Sequence, residues 1–190
     1  FDFAKTVRIK RLYFLPKRGV WETIYGSLWA CVLNINTYFI NMKTTGFSMT
    51  PFIKSGARII LDKSSKQTYR IGDIVAYVDY KGKIVVHRII HLILPISGHA
   101  QYLFKGDNNS ESDRYVDRKH LLWKAQKIVY PSYEIDLATT FSSYVAQIIS
   151  YCGNITLAHH WFYTIERIIV FCLTFVIISC AKLRSFYFTK

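Results

Sequence analysis

Residues 73–94 read DIVAYVDYKGKIVVHRIIHLIL, a pattern typical of two β-strands joined by a tight turn. The runs Asp73–Val78 and Lys83–Leu94 are rich in Val and Ile, which fit a pleated, half-buried surface. Between them, the Gly-containing segment Tyr80–Lys83 has the composition of a hairpin turn. The sequence therefore predicts an antiparallel hairpin near the middle of the chain.

Similar runs occur on both sides of this hairpin. Further strands are predicted at Arg58–Leu61, Gln101–Lys105 and Leu121–Val129, and residues 37–45 are another candidate strand. Turn-forming residues separate these runs, so the loops are short. Closely spaced strands with short loops predict a mainly β fold, an antiparallel sheet or partly closed barrel with flanking helices.

Three polar blocks lie in this β-rich region. They read GFSMTPFI at residues 46–53, IVVHRII at 84–90 and KGDNNSESDR at 105–114. They supply a Ser, a His and an Asp in that order, the residue types of hydroxyl-nucleophile catalysis. A serine needs a neighbouring base to take its proton, and the base works best when a third group orients it. Chain order alone does not establish a triad, because the same geometry occurs with other orders on unrelated folds.

The sequence around these residues resembles the signal peptidase I family, closest to the endoplasmic-reticulum and Gram-positive variant that uses a Ser–His pair. The resemblance covers residues 44–131. It rests on four matching elements: Ser48-Met49-Thr50-Pro51, Gly72-Asp73-Ile74-Val75, Val86-His87-Arg88, and Lys105-Gly106-Asp107-Asn108-Asn109 with Asp113. One turn departs from the family pattern, with Ser55-Gly56-Ala57 where Gly-Asp is usual.

The resemblance implies a role for each candidate site residue. Ser48 is the expected nucleophile, His87 the general base, and Asp113 the carboxylate that orients His87. Asp107 is expected to be a supporting carboxylate, although from the sequence it could equally stabilise its own turn. Ser48, Met49 and Gly46 are the expected oxyanion and substrate-binding positions. The implied chemistry requires neither a metal nor a cofactor.

Gly46 is a second departure from the family pattern. Family members often carry at this position a serine that helps to bind the oxyanion. One such donor commonly contributes about 3 kcal/mol to lowering the barrier. Unless Thr44 or Thr45 substitutes, the oxyanion hole would depend on backbone N–H groups such as that of Ser48. A slower or more specialised enzyme is therefore an open alternative.

Other side chains compete with His87 for the role of base. His91 lies four residues after His87 and would share its strand face, because side chains alternate along a strand. The bacterial branch of the family uses a lysine base instead, and Lys63, Lys81 and Lys83 are nearby. The position that would carry that lysine holds His87, which favours a histidine base.

Composition and charge point towards a membrane. Hydrophobic residues make up 51% of the chain and aromatic residues 16%, and 25 Lys and Arg against 12 Asp and Glu give a formal net charge of +13. Such a charge attracts anionic lipid or nucleic acid. The apolar C-terminal region favours lipid, and no zinc-finger, helix-turn-helix or RNA-binding motif indicates a nucleic-acid partner. The four cysteines have neither metal-site nor disulfide-framework spacing.

Five regions are expected along the chain. Residues 1–43 form a basic N-terminal segment with an amphipathic or membrane-associated helix, and residues 44–131 form the catalytic domain. Residues 132–160 are a linker, residues 161–181 a transmembrane or membrane-anchoring helix, and residues 182–190 a basic tail. A positive flank favours the cytoplasmic side. If the N-terminal segment also spans, the catalytic domain faces the extracytoplasmic or lumenal side.

The sequence thus predicts a membrane-associated serine endopeptidase that removes signal or leader peptides from precursor polypeptides. Its expected partners are the precursor and membrane lipid, with partner subunits left undefined. One alternative is a dedicated maturation protease for a single small secreted or modified peptide. Another is a catalytically silent membrane scaffold subunit.

Overall fold

The computed structural model describes residues 39–64, 68–94 and 100–188. The strands are β1 (Phe39–Lys43), β2 (Arg58–Asp62), β3 (Ile74–Val78), β4 (Ile84–Ile93), β5 (Gln101–Lys105), β6 (Val116–Asp117), β7 (Leu121–Val129) and β8 (Glu134–Asp136). The helices are α1 (Thr140–Ala158) and α2 (Tyr163–Phe188), with short 3-10 helices at Arg118–His120 and His160–Phe162. The predictions made for residues 1–38 lie outside the described residues.

The eight strands form one antiparallel sheet that curves into a half-barrel. Its order is β1-β2-β7-β3-β4-β5-β6, and β8 pairs with β7. The predicted fold class, a mainly antiparallel sheet with flanking helices, is confirmed. Five predicted strands correspond to β2, β3, β4, β5 and β7, and β1 lies within the candidate strand at residues 37–45.

The predicted hairpin joins β3 and β4 through a turn that begins one residue earlier than expected. Asp79 N–H donates to the Lys83 carbonyl at 2.9 Å, and the Asp79 carboxylate accepts from the backbone N–H groups of Lys81 and Lys83. Gly82 has φ +75°, a conformation that favours glycine. The register places Val75 opposite His87, so the hairpin sets which residues share a face with this histidine.

Residues 132–160, expected to be a linker, instead contain β8 and α1. Thr139 caps α1 by accepting a hydrogen bond from the Ser142 backbone N–H. The buried face of α1 includes several small or polar residues: Ser142, Ser150, Cys152, Gly153 and Thr156. A helix that buries small polar residues lacks the usual apolar stripe, which is why the sequence pattern did not reveal it.

Helix α2 is longer than the predicted membrane helix at residues 161–181. It continues to Phe188, so most of the predicted basic tail is helical. Residues 163–187 have a mean hydropathy of 2.0 over their most apolar window. Among the described residues, only this helix is long and apolar enough to cross a membrane, judged by length and composition alone.

Both helices cover the same side of the sheet. One core cluster joins Ile59, Ile74 and Ile128 of the strands to α1 and α2, which contribute Val145, Ile149, Val170 and Ile177. A second, smaller cluster on the other face contains Val75, Tyr77, Ile89 and Phe104. The alternation along β3 thus sends Ile74 and Ala76 towards the helices, and Val75 and Tyr77 towards the second cluster.

A buried ion pair links α2 to the sheet. Lys105 Nζ of β5 lies 2.5 Å from Glu166 Oε1 in the first turn of α2, and the two side chains are only 1% and 2% exposed. Gly153 of α1 packs against both side chains. The pair therefore holds together β5, α1 and α2 at one point.

Removing one partner of this pair is expected to destabilise the protein strongly. Glu166→Leu leaves the Lys105 ammonium buried and uncompensated, which costs about 3–5 kcal/mol of unfolding free energy. The double variant Lys105→Met with Glu166→Leu should recover most of this loss, because it removes both charges. Denaturant titration of the purified chain measures these differences.

The exposed pair Lys127–Glu134 provides a matched control. Lys127→Met should change the unfolding free energy by no more than about 1 kcal/mol, because solvent screens exposed pairs. A Glu166→Leu variant as stable as Lys127→Met would show that the buried pair does not hold α2 to the sheet.

Candidate active site

Ser48 lies in a tight turn that follows β1. Gly46 has φ +93°, which turns the chain, and the Thr50 backbone N–H donates to the Phe47 carbonyl at 3.1 Å. Met49 and Phe52 are buried in the main core cluster and anchor this turn. The turn therefore holds the half-buried Ser48 at the edge of the core.

The structure brings Ser48, His87 and Asp113 together. His87 Nε2 lies 2.8 Å from Ser48 Oγ, and His87 Nδ1 lies 2.6 Å from Asp113 Oδ2. An ionised carboxylate only accepts, so Nδ1 carries the proton and Nε2 accepts from the Ser48 hydroxyl. His87 is 6% exposed, which excludes most water from this bond. The arrangement can deprotonate Ser48 as it attacks an acyl carbon.

Asp113 is held by the backbone around it. Its N–H donates to the Phe104 carbonyl at 2.8 Å, and the neighbouring Ser112 forms a bridge with Lys105. These bonds tie the loop after β5 to the strand that pairs with β4. The carboxylate is therefore fixed relative to His87 by the sheet itself.

Tyr77 adds a fourth member that the sequence pattern did not reveal. Its hydroxyl donates to Asp113 Oδ2 at 2.7 Å, the same oxygen that accepts from His87. The ring is buried and stacks on Phe104 with the centroids 4.2 Å apart. Burial and the negative charge of Asp113 raise the pKa of Tyr77, so its hydroxyl stays protonated and able to donate. The sequence feature that could have identified Tyr77 is its position two residues after Val75, because Val75 pairs with His87 across the hairpin.

Asp107 does not contact His87. It accepts two hydrogen bonds of 2.8 Å from Arg88, through Nε and Nη2, and both side chains are buried. The Arg88 guanidinium also donates to the Gly72 carbonyl and lies 4.7 Å from the centroid of the Phe52 ring. Asp107 thus connects the loop of Asp113 to the residue next to His87.

The loop after β5 also contacts the turn of Ser48 directly. The Asn108 backbone N–H donates to the Ser48 carbonyl at 2.8 Å. A Cβ atom on Gly106 would lie 2.6 Å from the same carbonyl oxygen, a distance that real Cβ atoms do not reach. Glycine at position 106 is therefore required for this close approach.

Thr44 and Gly46 lie in the segment before Ser48, beside the expected oxyanion hole. The Thr44 hydroxyl lies 3.1 Å from the carbonyl oxygens of both Lys54 and Ala57, so it stabilises the backbone before β2. Gly46 has a backbone conformation that a serine would adopt only with strain. The developing charge on a substrate would therefore be left to backbone N–H groups.

Met49, which the resemblance places at a substrate-binding position, and Phe52 offer no exposed apolar surface. Both are buried in the core, because they anchor the turn beneath Ser48. Phe47 is the exposed apolar residue beside the nucleophile position, with 71% of its surface accessible. Apolar character alone does not distinguish an anchor from an exposed contact residue.

His91, the competing base, lies apart from Ser48. It is exposed, and its Nδ1 lies 3.2 Å from the Tyr115 hydroxyl. The pairing of β4 with β5 shifts register between Ile89 and His91. This irregularity changes the alternation on which the shared-face argument depended.

In the part of the chain that the structure describes, no cluster of His, Cys, Asp or Glu could hold a metal ion.

Comparison with known proteins supports a relationship to signal peptidase I-like enzymes. The chain is 30% identical over 83 residues to the human (Homo sapiens) "Putative signal peptidase complex catalytic subunit SEC11B", covering 43% of this chain and 50% of that protein. It is 29% identical over 102 residues to "Signal peptidase complex catalytic subunit SEC11C" of Homo sapiens and of Mus musculus, covering 53% of this chain and 50% of each. The chain thus spans about half the length of the curated relatives it matches. No protein-family model matches it.

Loss of the Tyr77 hydroxyl is expected to slow acyl transfer at this site. Tyr77→Phe should lower the cleavage rate of a precursor peptide about tenfold, because Asp113 loses a hydrogen bond that fixes its carboxylate relative to His87, and small misplacements of catalytic groups slow the reaction.

Tyr115→Phe is the matched control, because Tyr115 is exposed and its hydroxyl contacts His91. It should leave the rate unchanged. A Tyr77→Phe enzyme with the wild-type rate would show that Tyr77 only fills space beside Asp113.

Proposed function

We propose that the protein is a membrane-associated serine endopeptidase that cleaves signal or leader peptides from precursor proteins. The observation that carries this proposal is the hydrogen-bonded chain from Tyr77 through Asp113 and His87 to Ser48. The similarity to signal peptidase catalytic subunits supports the substrate class. Ser48 is the proposed nucleophile, His87 the general base and Asp113 the orienting carboxylate, while Asp107 supports the loop that carries Asp113.

The first half of the reaction forms an acyl-enzyme. Ser48 Oγ attacks the scissile carbonyl carbon while His87 Nε2 takes the hydroxyl proton. Asp113 Oδ2 holds the Nδ1–H bond and stabilises the charged imidazolium. Backbone N–H groups of the turn, including that of Ser48, stabilise the oxyanion. His87 then gives its proton to the departing amine, and the acyl group stays on Ser48.

The second half returns the enzyme to its starting state. A water molecule gives a proton to His87 and attacks the acyl carbon. The ester bond to Ser48 breaks, and His87 returns the proton to Ser48 Oγ. The products are a free carboxylate on one fragment and a free amine on the other.

The substrate is proposed to bind as an extended strand along β1. This strand is last in the order of the described sheet and leads directly into the turn of Ser48. A peptide that pairs near Asn41 and Lys43 would direct its next residues towards Ser48 Oγ. Sheet-edge pairing supplies affinity through the backbone, while alternate side chains set the specificity. The family resemblance implies small residues before the cleavage site.

The proposed location is a membrane, with the catalytic region on the extracytoplasmic or lumenal side. The catalytic unit consists of residues 44–131 together with β8 and α1, which complete its sheet and core. The named relatives are subunits of a complex. We therefore also propose that this chain works with partner subunits.

A dedicated maturation protease with a narrow substrate range is the second candidate. Gly46, with φ +93°, supplies a turn where the resemblance expects a side-chain donor. A weaker oxyanion hole suits an enzyme that processes one well-positioned peptide. A panel of signal and leader peptides distinguishes the two, because a general enzyme cuts many and a dedicated one cuts few.

Loss of Ser48 or His87 is expected to abolish cleavage. Ser48→Ala and His87→Ala should each lower the rate of precursor cleavage in membranes at least about 10⁴-fold, because triad members act as one unit. The fraction of precursor converted over time measures this effect.

Two exposed residues serve as matched controls. Ser55→Ala and His91→Ala replace a serine and a histidine that lie outside the hydrogen-bonded group of Tyr77, Asp113, His87 and Ser48. Both variants should cleave the precursor at the wild-type rate. If Ser48→Ala cleaves as fast as Ser55→Ala, the serine mechanism is wrong. A catalytically silent scaffold would produce that result.

A further inference from the structure

The inner face of α2 contacts the rest of the described protein along almost its whole length, mainly through α1, β8 and the core cluster. Glu166, Val170, Thr174 and Ile177 form a buried stripe, and near the far end the Ser185 hydroxyl donates to the Ser132 carbonyl at 3.5 Å. Residues 166–185 rise about 30 Å at 1.5 Å per residue. This face of α2 is therefore in contact with the protein over a distance similar to the thickness of a bilayer core.

The opposite face of α2 is exposed and mainly apolar, and its central part carries no charged residue. Phe171 is 63% exposed and Phe175 is 66% exposed, and Ile168, Cys172, Val176 and Cys180 complete this face. Arg167 precedes this part, and Lys182 and Arg184 follow it. The part without charged residues, from 168 to 181, is about 20 Å long, shorter than the about 30 Å of a hydrocarbon core, and Ile165, Leu183 and Phe186 extend the exposed apolar surface beyond the two charged positions.

Helix α1 has an outward face of the same character. Phe141, Tyr144, Ile148 and Tyr151 are exposed, and their spacing of three and four residues puts them on one side of the helix. Since α1 and α2 cover the same core cluster, their outward faces lie on the same side of the sheet. Trp161, in the connection between the helices, is also exposed.

We propose that α1 and α2 lie flat in the interfacial layer of a lipid bilayer, with these outward faces among the lipids. We call the exposed residues of the two helices the platform. A crossing orientation of α2 would carry Ser132, Tyr133 and the strands beneath its inner face into hydrocarbon, where unpaired polar groups are costly. An in-plane orientation keeps this inner face on the sheet and leaves only the platform in lipid.

The chemistry of the platform matches a lipid surface. Exposed Tyr and Trp side chains prefer the boundary between headgroups and acyl chains. Cationic residues at both ends of an apolar stripe can extend to anionic headgroups while the stripe is buried. The net charge of +13 adds a general attraction to such headgroups. A protein partner or a second copy of the chain would not need cations at both ends of the stripe.

If the proposed function is correct, the platform also positions the active site. The Tyr163 hydroxyl, in the first turn of α2, donates to the Asn108 carbonyl at 3.0 Å, and the Asn108 N–H donates to the Ser48 carbonyl. The turn of Ser48 is therefore two hydrogen bonds away from the platform. Ser48 would be held close to the surface at which a signal peptide leaves the bilayer.

The native cysteines on α2 allow a direct test. Cys172 and Cys180 are both exposed and lie eight residues apart, about 12 Å along the helix axis and about 80° around it. The full-length chain, with one of the two cysteines kept and the other three replaced by Ser, is labelled with an environment-sensitive fluorophore. It is then bound to vesicles of phosphatidylcholine and phosphatidylglycerol that carry quenchers at shallow or deep acyl positions.

The in-plane orientation predicts that both labels are quenched, mainly by the shallow quencher, at depths within about 6 Å of each other, the difference that their positions around the helix allow. A depth difference of about 10 Å would overturn the proposal, because a crossing helix places the two labels at different levels. Quenching of neither label would also overturn it and would point to a protein partner or a second copy on the platform. Vesicle binding alone does not show that the platform contacts lipid, because residues 1–38 are also basic and apolar.

Substitutions on α1 test the other half of the platform. Tyr144→Glu with Tyr151→Glu should make both labels shallower and weaken vesicle binding at least threefold. Tyr80→Glu is the matched control, because Tyr80 is equally exposed but lies in the β3–β4 turn, and it should change neither readout. If the α1 variant behaves like Tyr80→Glu, α1 is not part of the lipid-facing surface. Cleavage of a water-soluble peptide should be unchanged in both variants, which separates lipid contact from the proposed function.

Discussion

The buried pair between Arg88 and Asp107 is the constraint on which the site depends. Arg88 follows His87, Asp107 precedes Asp113 in the same loop, and the guanidinium stacks on Phe52 beneath the turn of Ser48. One buried arginine therefore touches all three polar blocks of the sequence. Both oxygens of Asp107 are used, so its charge is committed to structure. Leaving either charge unpaired in this interior would cost several kcal/mol, which makes the geometry hard to deform.

This constraint explains why two aspartates in one short loop have different roles. Asp107 is buried against a fixed cation, whereas Asp113 is about one-third exposed and faces His87 and Tyr77. One carboxylate therefore holds the loop, and the other faces His87, where the proposed mechanism has it stabilise the imidazolium. Gly106 completes the arrangement, because only glycine lets the loop approach the Ser48 carbonyl. A second buried pair, between Lys105 and Glu166, connects the same loop to α2.

Local patterns predicted the β fold and the three polar blocks, because hairpins and short motifs depend on residues that are close together in the sequence. Contacts that join distant residues were not predictable in this way. Lys105 and Glu166 lie 61 positions apart, and nothing near either residue indicates its partner. Tyr77 could have been identified only if the register of the hairpin had been known. The prediction that His87 and His91 share a strand face was wrong because a register shift interrupts the pairing of β4. Helix α1 was missed because it buries small polar residues and exposes aromatic ones, the reverse of the usual pattern.

The central claim is that His87 activates the side chain at position 48, and Ser48→Cys tests it without any substrate. A thiol beside a protonated histidine has a lowered pKa and reacts as a thiolate in mildly acidic solution. Alkylation by iodoacetamide is followed at each cysteine by peptide mapping from pH 5 to 9. Burial, with the Glu166 carboxylate, raises the pKa of Cys152, so it is an internal slow control.

If His87 activates this position, the thiol introduced by Ser48→Cys is alkylated rapidly below pH 7. Adding His87→Ala should then move its reactivity to the pH range of an ordinary thiol. Identical pH profiles for the introduced thiol with and without His87 would contradict the claim.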